Sequence, residues 1–123
     1  MKTVLALLST LLLSTAVYVS LPPPFPKPEI VGSGICVVEF NASFNSQNGV
    51  SWLENISDCN PRRVDIVSQP AMQKEYNIVV VPTIVIFQEG EEVKRFQANI
   101  MMQLEATEQE VQEVVDEIIM SSF

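Results

Sequence analysis

The pattern of apolar and polar positions predicts four strands after residue 34. Residues 35–40 and 78–87 are apolar runs of strand length, typical of strands that are covered on both faces of a sheet. Residues 62–67 show a shorter strand pattern, and residues 93–98 complete a hairpin across a turn at Gly90. A proline in the ladder of a central strand would remove a hydrogen bond, so the proline inside the 78–87 run is expected to begin that strand or to mark an irregularity.

Helical spacing of apolar residues predicts three helices between and after these strands. Residues 50–56 form a short amphipathic pattern, and residues 69–76 are long enough for a helical turn or two. The last helix begins with a capping box, in which Thr107 and Glu110 satisfy each other's backbone groups. Its apolar stripe consists of Val111, Val114, Val115, Ile118 and Ile119. The order of the elements predicts an α/β fold, with a mixed sheet of about four strands and helices on both faces.

The N-terminal segment has the composition of a targeting sequence. Residues 1–20 are apolar behind a single lysine, with small residues before a candidate cleavage point after Ala16. The alternative is an uncleaved anchor, because residues 3–21 are just long enough to cross a bilayer. Residues 21–34 form a proline-rich linker, and residues 35–123 form the domain. We therefore expect an exported protein that is periplasmic, secreted or tethered on the outer side of a membrane.

Composition excludes several classes of function. The net charge of −8 argues against nucleic acid and against anionic membrane surfaces, so membrane contact is expected only through an uncleaved N-terminal segment. The chain has no histidine, which excludes Ser-His-Asp and Cys-His nucleophile pairs. With two cysteines and no histidine, neither a metal site nor a cofactor is expected. The oligomeric state cannot be read from the sequence.

Two separated motifs resemble those of thioredoxins. Residues 37–48, Val-Val-Glu-Phe-Asn-Ala-Ser-Phe-Asn-Ser-Gln-Asn, are similar to the family's strand and active-site turn, Val-Val-Asp-Phe-Trp-Ala-x-Trp-Cys-x-x-Cys. Residues 76–87 resemble Tyr-x-Ile-x-x-x-Pro-Thr-x-x-x-Phe, and residues 90–93 match the following hairpin turn. The resemblance implies a thioredoxin-like three-layer fold over residues 35–123. The family's first strand and helix are expected to be shortened or missing, because few residues precede Ile35.

The departures from this resemblance fall on the redox chemistry. Asn45 and Asn48 occupy the two cysteine positions, and Asn41 occupies the position of a tryptophan. Dithiol exchange needs a thiolate and a second sulfur, and a carboxamide supplies neither. Asn45, Ser46, Gln47 and Asn48 therefore form a degenerate redox turn, and the domain is expected to be redox-inactive.

The resemblance also implies a binding groove that does not need cysteine. At the family position of Pro82 the peptide bond is cis, and the backbone before it pairs with an extended substrate segment. The alternative is that Pro82 serves the turn alone. The apolar loop before the last helix either lines this groove, since methionine adapts to varied partners, or folds down and closes it. The predicted groove consists of Phe44, Val81, Pro82, Thr83, Ile100, Met101 and Met102.

The resemblance also implies two residue pairs on neighbouring strands. Glu39 falls on the family's buried acid and Arg63 on the facing lysine, which predicts an ion pair in the core. Cys36 and Cys59 would lie near the same end of adjacent parallel strands. Three alternatives stay open for them, namely a structural disulfide, two thiols that fill the core, and a catalytic couple.

Three hypotheses of function follow. The leading one is an exported, non-catalytic thioredoxin-like domain that binds a polypeptide partner through the degenerate turn and the cis-proline groove. The rival is a thiol–disulfide oxidoreductase of redox homeostasis that uses the non-standard pair Cys36 and Cys59. A third is a structural subunit that docks through its acidic C-terminal helix. Serine substitutions at the cysteines and a disulfide-reduction assay distinguish the first two.

Overall fold

The computed structural model describes residues 33–123. The predicted signal sequence or anchor at residues 1–20 and the linker up to residue 32 lie outside the described residues. The expectation about the family's first strand and helix lies outside them too, because both would precede residue 35. Within residues 33–123, no helix is both long and apolar enough to cross a membrane.

A four-stranded mixed sheet forms the centre of the domain. Its strands are β1 (Ile35–Asn41), β2 (Asn60–Asp65), β3 (Thr83–Gln88) and β4 (Glu91–Gln97). Their order in the sheet is β2-β1-β3-β4. β1 runs parallel to β2 and antiparallel to β3, and β3 and β4 form the predicted hairpin. The structure thus confirms a mixed sheet of four strands.

Two helices flank the sheet. Helix α1 (Pro70–Glu75) begins with proline at its first position, where a missing N–H costs nothing. Helix α2 (Glu108–Ser121) begins with the predicted capping box. The Thr107 hydroxyl accepts a hydrogen bond from the Glu110 N–H at 3.2 Å, and the Glu110 carboxylate accepts one from the Thr107 N–H at 3.1 Å. The capping box in the sequence therefore predicted the start of α2 correctly.

Each face of the sheet buries its own hydrophobic core. The core on the α1 side comprises Cys36, Val38, Phe40, Ala42, Val64, Ile78, Val81, Val85 and Phe87. The core on the α2 side comprises Val37, Val50, Leu53, Ile56, Ile84, Ile86, Val111, Val115 and Ile118. Alternate residues of β1 and β3 contribute to opposite cores, as strand geometry requires. The fold has three layers, with helices on both faces.

The boundaries of three strands differ from the sequence prediction, and β4 begins at Glu91, two residues earlier than predicted. The strand predicted over residues 78–87 begins only at Thr83, because Pro82 has no N–H to donate to the ladder. The strand predicted over residues 62–67 lies two residues earlier, at Asn60–Asp65.

The predicted helix over residues 50–56 is wrong. Only one turn of 3-10 helix, Leu53–Asn55, occurs there, and a longer 3-10 segment, Ser43–Asn48, precedes it. The backbone of Val50 is engaged elsewhere, since its N–H donates to the Glu39 carboxylate and its C=O accepts from Arg63. A helix that began at Val50 would use this carbonyl to accept from the N–H of Glu54 and would so lose the bond from Arg63.

Candidate functional site

Three segments meet at one end of the sheet, where β1 and β4 end and β3 begins. Phe40 of β1 pairs with Thr83 of β3, so the end of β1 lies beside the start of β3. Thr83 also pairs with Gln97, which brings the last residues of β4 to the same end of the sheet. The 3-10 turn after β1, the segment before Thr83 and the loop after β4 are therefore adjacent. These are the segments that the sequence selected as turn, cis-proline groove and apolar loop.

The degenerate turn has a buried centre and an exposed rim. Asn45 is only 2% exposed, although it carries a polar amide, and its N–H donates to the Ala42 carbonyl at 2.8 Å. Ser46 and Gln47 are exposed, and Asn48 is half-buried. Phe44 is 69% exposed, which is unusual for a phenylalanine on a domain of this size.

The side chain of Asn45 is the centre of an amide network. Its Nδ2 donates to Asn41 Oδ1 at 3.2 Å and to the Met102 carbonyl at 3.1 Å. Its Oδ1 accepts from Asn48 Nδ2 at 2.8 Å, and Asn41 Nδ2 donates to the Asn45 carbonyl at 3.2 Å. The three asparagines that depart from the thioredoxin motif are thus bonded to one another. The network contains no ionisable group and no sulfur.

The segment before β3 presents backbone groups without partners. The Val81–Pro82 peptide bond is cis. The Thr83 hydroxyl donates to the Val80 carbonyl at 2.6 Å. Among residues 33–123, neither the N–H nor the C=O of Val81 takes part in a hydrogen bond. An extended chain laid beside Val81 would therefore find both a donor and an acceptor.

An open cleft of about 290 Å³ lies between the three segments. Its walls carry no charged side chain and consist of Phe44, Ile66, Gln73, Val79, Val80, Val81, Asn99, Ile100 and Met102. Four residues of the sequence-predicted groove are among them. Pro82 and Thr83 are buried and do not line the cleft, and Met101 is exposed outside it.

Sequence reasoning missed part of this cleft. Ile66 and Gln73 approach it from the α1 side, and Val79 belongs to the apolar run over residues 78–87, whose pattern predicts a strand. Val79 is exposed although it lies in that run, because residues 78–82 stand outside the sheet. A strand that begins at the proline, one of the two alternatives in the sequence, leaves Val79 and Val80 as loop residues, as the structure has them.

Glu39 and Arg63 form the ion pair that the sequence predicts, at 2.6 Å between Glu39 Oε1 and Arg63 Nη1. The Glu39 side chain is 4% exposed and the Arg63 side chain 41% exposed. Glu39 Oε2 accepts from the Val50 N–H at 2.6 Å, and Arg63 Nη2 donates to the Val50 carbonyl at 2.7 Å. The pair therefore binds both the N–H and the C=O of Val50.

Arg63 also reaches outward to Glu54. Its Nε and Nη2 bond the Glu54 carboxylate at 3.0 and 2.7 Å. Hydrogen bonding to Glu54 is the largest cause that raises the pKa of Arg63, and the same bond lowers the pKa of Glu54. One guanidinium thus joins a buried and an exposed carboxylate.

Both cysteines are free thiols in the structure, one of the alternatives left open by the sequence. Cys36 is buried in the core on the α1 side, whereas Cys59 packs against the core on the α2 side. Burial is the main cause that raises the pKa of Cys59 to about 11, and nearby negative charge adds to it. Both residues lie at the end of the sheet away from the turn, because Cys36 pairs with Phe87 and Asn60.

We predict slow alkylation of Cys59 in the folded protein. With a pKa of about 11, its thiolate is about a hundredfold scarcer at pH 8 than that of an ordinary cysteine. Its rate with iodoacetamide should rise roughly tenfold per pH unit until the pH approaches that pKa. The neutral thiol stabilises the fold below pH 9, and this contribution is lost as the pH rises through 11.

Mass spectrometry without reductant, before and after unfolding in urea, checks this prediction. Unfolding should expose two reactive thiols. A native mass that is two hydrogens lower, with no alkylation after unfolding, would instead establish a disulfide between Cys36 and Cys59.

The described part of the chain offers no metal centre. Within residues 33–123, no group of three or more His, Cys, Asp or Glu side chains is arranged to hold an ion.

Solved structures of thioredoxins share this fold. A mutant thioredoxin of Halobacterium salinarum is similar at 20% identity and a TM-score of 0.53, over 69% of this chain and 74% of that one. The Schistosoma mansoni thioredoxin matches at 20% identity and 0.56, over 69% and 79%. The Fasciola hepatica thioredoxin matches at 21% identity and 0.51, over 70% and 82%. No protein-family model matches the chain, and no curated protein matches it in sequence.

The fold class is therefore that of thioredoxin, as the sequence resemblance implied. More particularly, the chain is a thioredoxin-fold domain, and the sequence resemblance implies that asparagine stands at both positions of the Cys-x-x-Cys motif.

Proposed function

We propose that this protein is an exported, non-catalytic thioredoxin-fold domain that binds an extended polypeptide segment in the cleft beside Val81. The observation that carries the proposal is the unpartnered backbone of Val81 within an open apolar cleft. The N-terminal composition supports export, whether periplasmic, secreted or tethered to the outer side of a membrane.

An extended polypeptide is the occupant that fits these groups. A strand-like segment can pair its own C=O and N–H with Val81 while its side chains alternate toward and away from the cleft. A small molecule would need to supply one donor and one acceptor at peptide spacing. The exposed ring of Phe44 and the side chain of Ile100 then provide apolar contacts on either side.

Charge narrows the chemistry of the partner. The cleft walls are uncharged, whereas the chain as a whole carries a net charge of −8. An acidic peptide would be repelled on approach, and an apolar segment with neutral or basic flanks would not. Nucleic acid is disfavoured for the same reason.

The non-catalytic half of the proposal rests on the turn and on the cysteines. Asn45 and Asn48 bond each other where a thioredoxin needs sulfur. Cys36 and Cys59 pack on opposite faces of the sheet, and the raised pKa of Cys59 keeps its thiol protonated. These observations speak against a redox couple of Cys36 and Cys59, and none favours docking through α2.

Selection of random 12-residue peptides displayed on phage, followed by titration of the isotope-labelled protein, tests this function. We expect selected peptides to be apolar with few acidic residues and to shift the resonances of Phe44, Val81 and Ile100. Phe44→Ala should weaken their binding by about 10- to 100-fold, the effect of losing an aromatic anchor.

Val93→Ala is the matched control, because Val93 is also exposed but lies on β4 outside the cleft. Its affinity for the selected peptides should equal that of the wild type. Equal affinity of the Phe44→Ala variant, or shifts confined to α2, would refute binding at the cleft.

A further inference from the structure

The contact between Asn45 and Met102 joins two segments that are 57 residues apart. It connects the centre of the degenerate turn to the loop that forms one wall of the cleft. Among residues 33–123, this is the hydrogen bond that links residues 99–103 to the part of the chain before β4. Between Ala98, whose N–H donates to the Pro82 carbonyl, and Leu104, which packs against the core on the α2 side, this wall has its polar attachment at Asn45.

The loop has internal order of its own but little attachment. Asn99 Oδ1 accepts from the N–H groups of Met101 at 2.9 Å and Gln103 at 3.1 Å. The Met102 N–H donates to the Asn99 carbonyl, and Met102 has a left-handed backbone with φ of 59°. A methionine disfavours this conformation, so a contact from outside the loop adds to the Asn99 bonds that keep it. Ile100 is fully exposed and contributes little packing.

Asn45 is suited to supply that contact. Both hydrogens of its Nδ2 are used, one by Asn41 and one by Met102, and its Oδ1 is used by Asn48. The side chain is buried, so an unmet bond would not be replaced by water. A cysteine or an aspartate at this position cannot donate two such bonds.

We infer that Asn45 is a positioning residue that fixes Ile100 and Met102 as a wall of the cleft. The asparagine at the first cysteine position thus has a task of its own, beyond the absence of sulfur. The consequence for affinity rests on the proposed peptide binding, whereas the fixing of the loop does not.

Hydrogen exchange of the full-length chain, in dodecyl maltoside and without any peptide, tests the fixing of the loop. In Asn45→Ser, exchange at the amides of Met101, Met102 and Gln103 should rise about tenfold or more, the factor that corresponds to one or two lost hydrogen bonds. Amides of β1 and β3 should exchange as in the wild type.

A graded series separates positioning from general loosening. Asn48→Ala removes only the bond to Asn45 Oδ1 and should increase exchange by a smaller factor. Gln47→Ala alters an exposed side chain of the same turn and should change nothing. Loop exchange that is unchanged in Asn45→Ser, or equally raised in Gln47→Ala, would overturn the inference.

A second measurement connects the loop to binding. Peptides selected as above should bind Asn45→Ser about tenfold more weakly than the wild type. The urea midpoints of Asn45→Ser, Gln47→Ala and the wild type are measured alongside as a reference for stability. If the wild type binds no peptide, the proposed function fails, while the exchange data still decide the role of Asn45. If exchange does not respond, the positioning role fails even where peptides bind.

Discussion

Arg63→Ala should lower the free energy of unfolding by about 3 kcal/mol, the low end of the range for breaking a buried pair by removing one partner. The substitution leaves the Glu39 carboxylate buried with only the Val50 N–H as a partner. The low end applies because the Arg63 side chain is partly exposed, and water can reach some of the vacated space. Urea denaturation followed by circular dichroism measures the change.

Two neighbours provide controls for this prediction. Arg62→Ala removes an exposed arginine from the same strand and should change stability by no more than about 0.5 kcal/mol. Glu54→Ala removes only the exposed partner of Arg63 and should cost less than about 1 kcal/mol. If the three variants are equally stable, the Glu39–Arg63 pair does not hold the fold.

The double substitution Asn45→Cys with Asn48→Cys should create disulfide reductase activity that the wild type lacks. The spacing returns a nucleophile and a resolving thiol to a thioredoxin turn. One thiolate would attack an insulin disulfide, and the second would displace it, which reduces insulin and oxidises the introduced pair; dithiothreitol would reduce the pair again. We expect insulin reduction at least about tenfold faster than with the wild type, whose rate should equal that of dithiothreitol alone.

The native cysteines must be excluded from this result. The double substitution is therefore made in a background with Cys36→Ser and Cys59→Ser, and the serine background alone is the control. Turnover by the wild type that disappears in the serine background would contradict the non-catalytic proposal. A folded double variant that forms its disulfide but reduces no insulin would show that the lack of sulfur is not the only feature that keeps the turn inactive.

Much of the fold was predictable because its signals are local. The capping box at Thr107 and the apolar run of β1 depend on residues close in sequence, and the structure contains both. The Glu39–Arg63 pair was predictable too, because the resemblance places both residues at facing family positions, and the observed strand register pairs them. The helix over residues 50–56 was not, because the backbone of Val50 bonds to those two distant side chains.

The candidate site was predictable in its parts but not in its connections. The sequence drew attention to Asn45 and Asn48 because they lack the thiol of the cysteines that they replace in the motif. It gave no sign that Asn45 bonds the Met102 carbonyl, because that contact depends on how β4 returns its loop to the turn. The only available signal was that Asn41, Asn45 and Asn48 change together from the thioredoxin pattern to amides that can bond one another.

The turn that follows β1 is fixed by hydrogen bonds at both ends. Asn41 and Asn45 bond each other at its start, and the backbone of Val50 bonds to Glu39 and Arg63 at its end. Its backbone is thus ordered before any partner arrives. In a complex, the conformational entropy lost on association would come from the partner and from exposed side chains such as Phe44 and Ile100, and not from the turn. Mutations that loosen either end should therefore reduce affinity through an entropic penalty, even where every contact with the partner is kept.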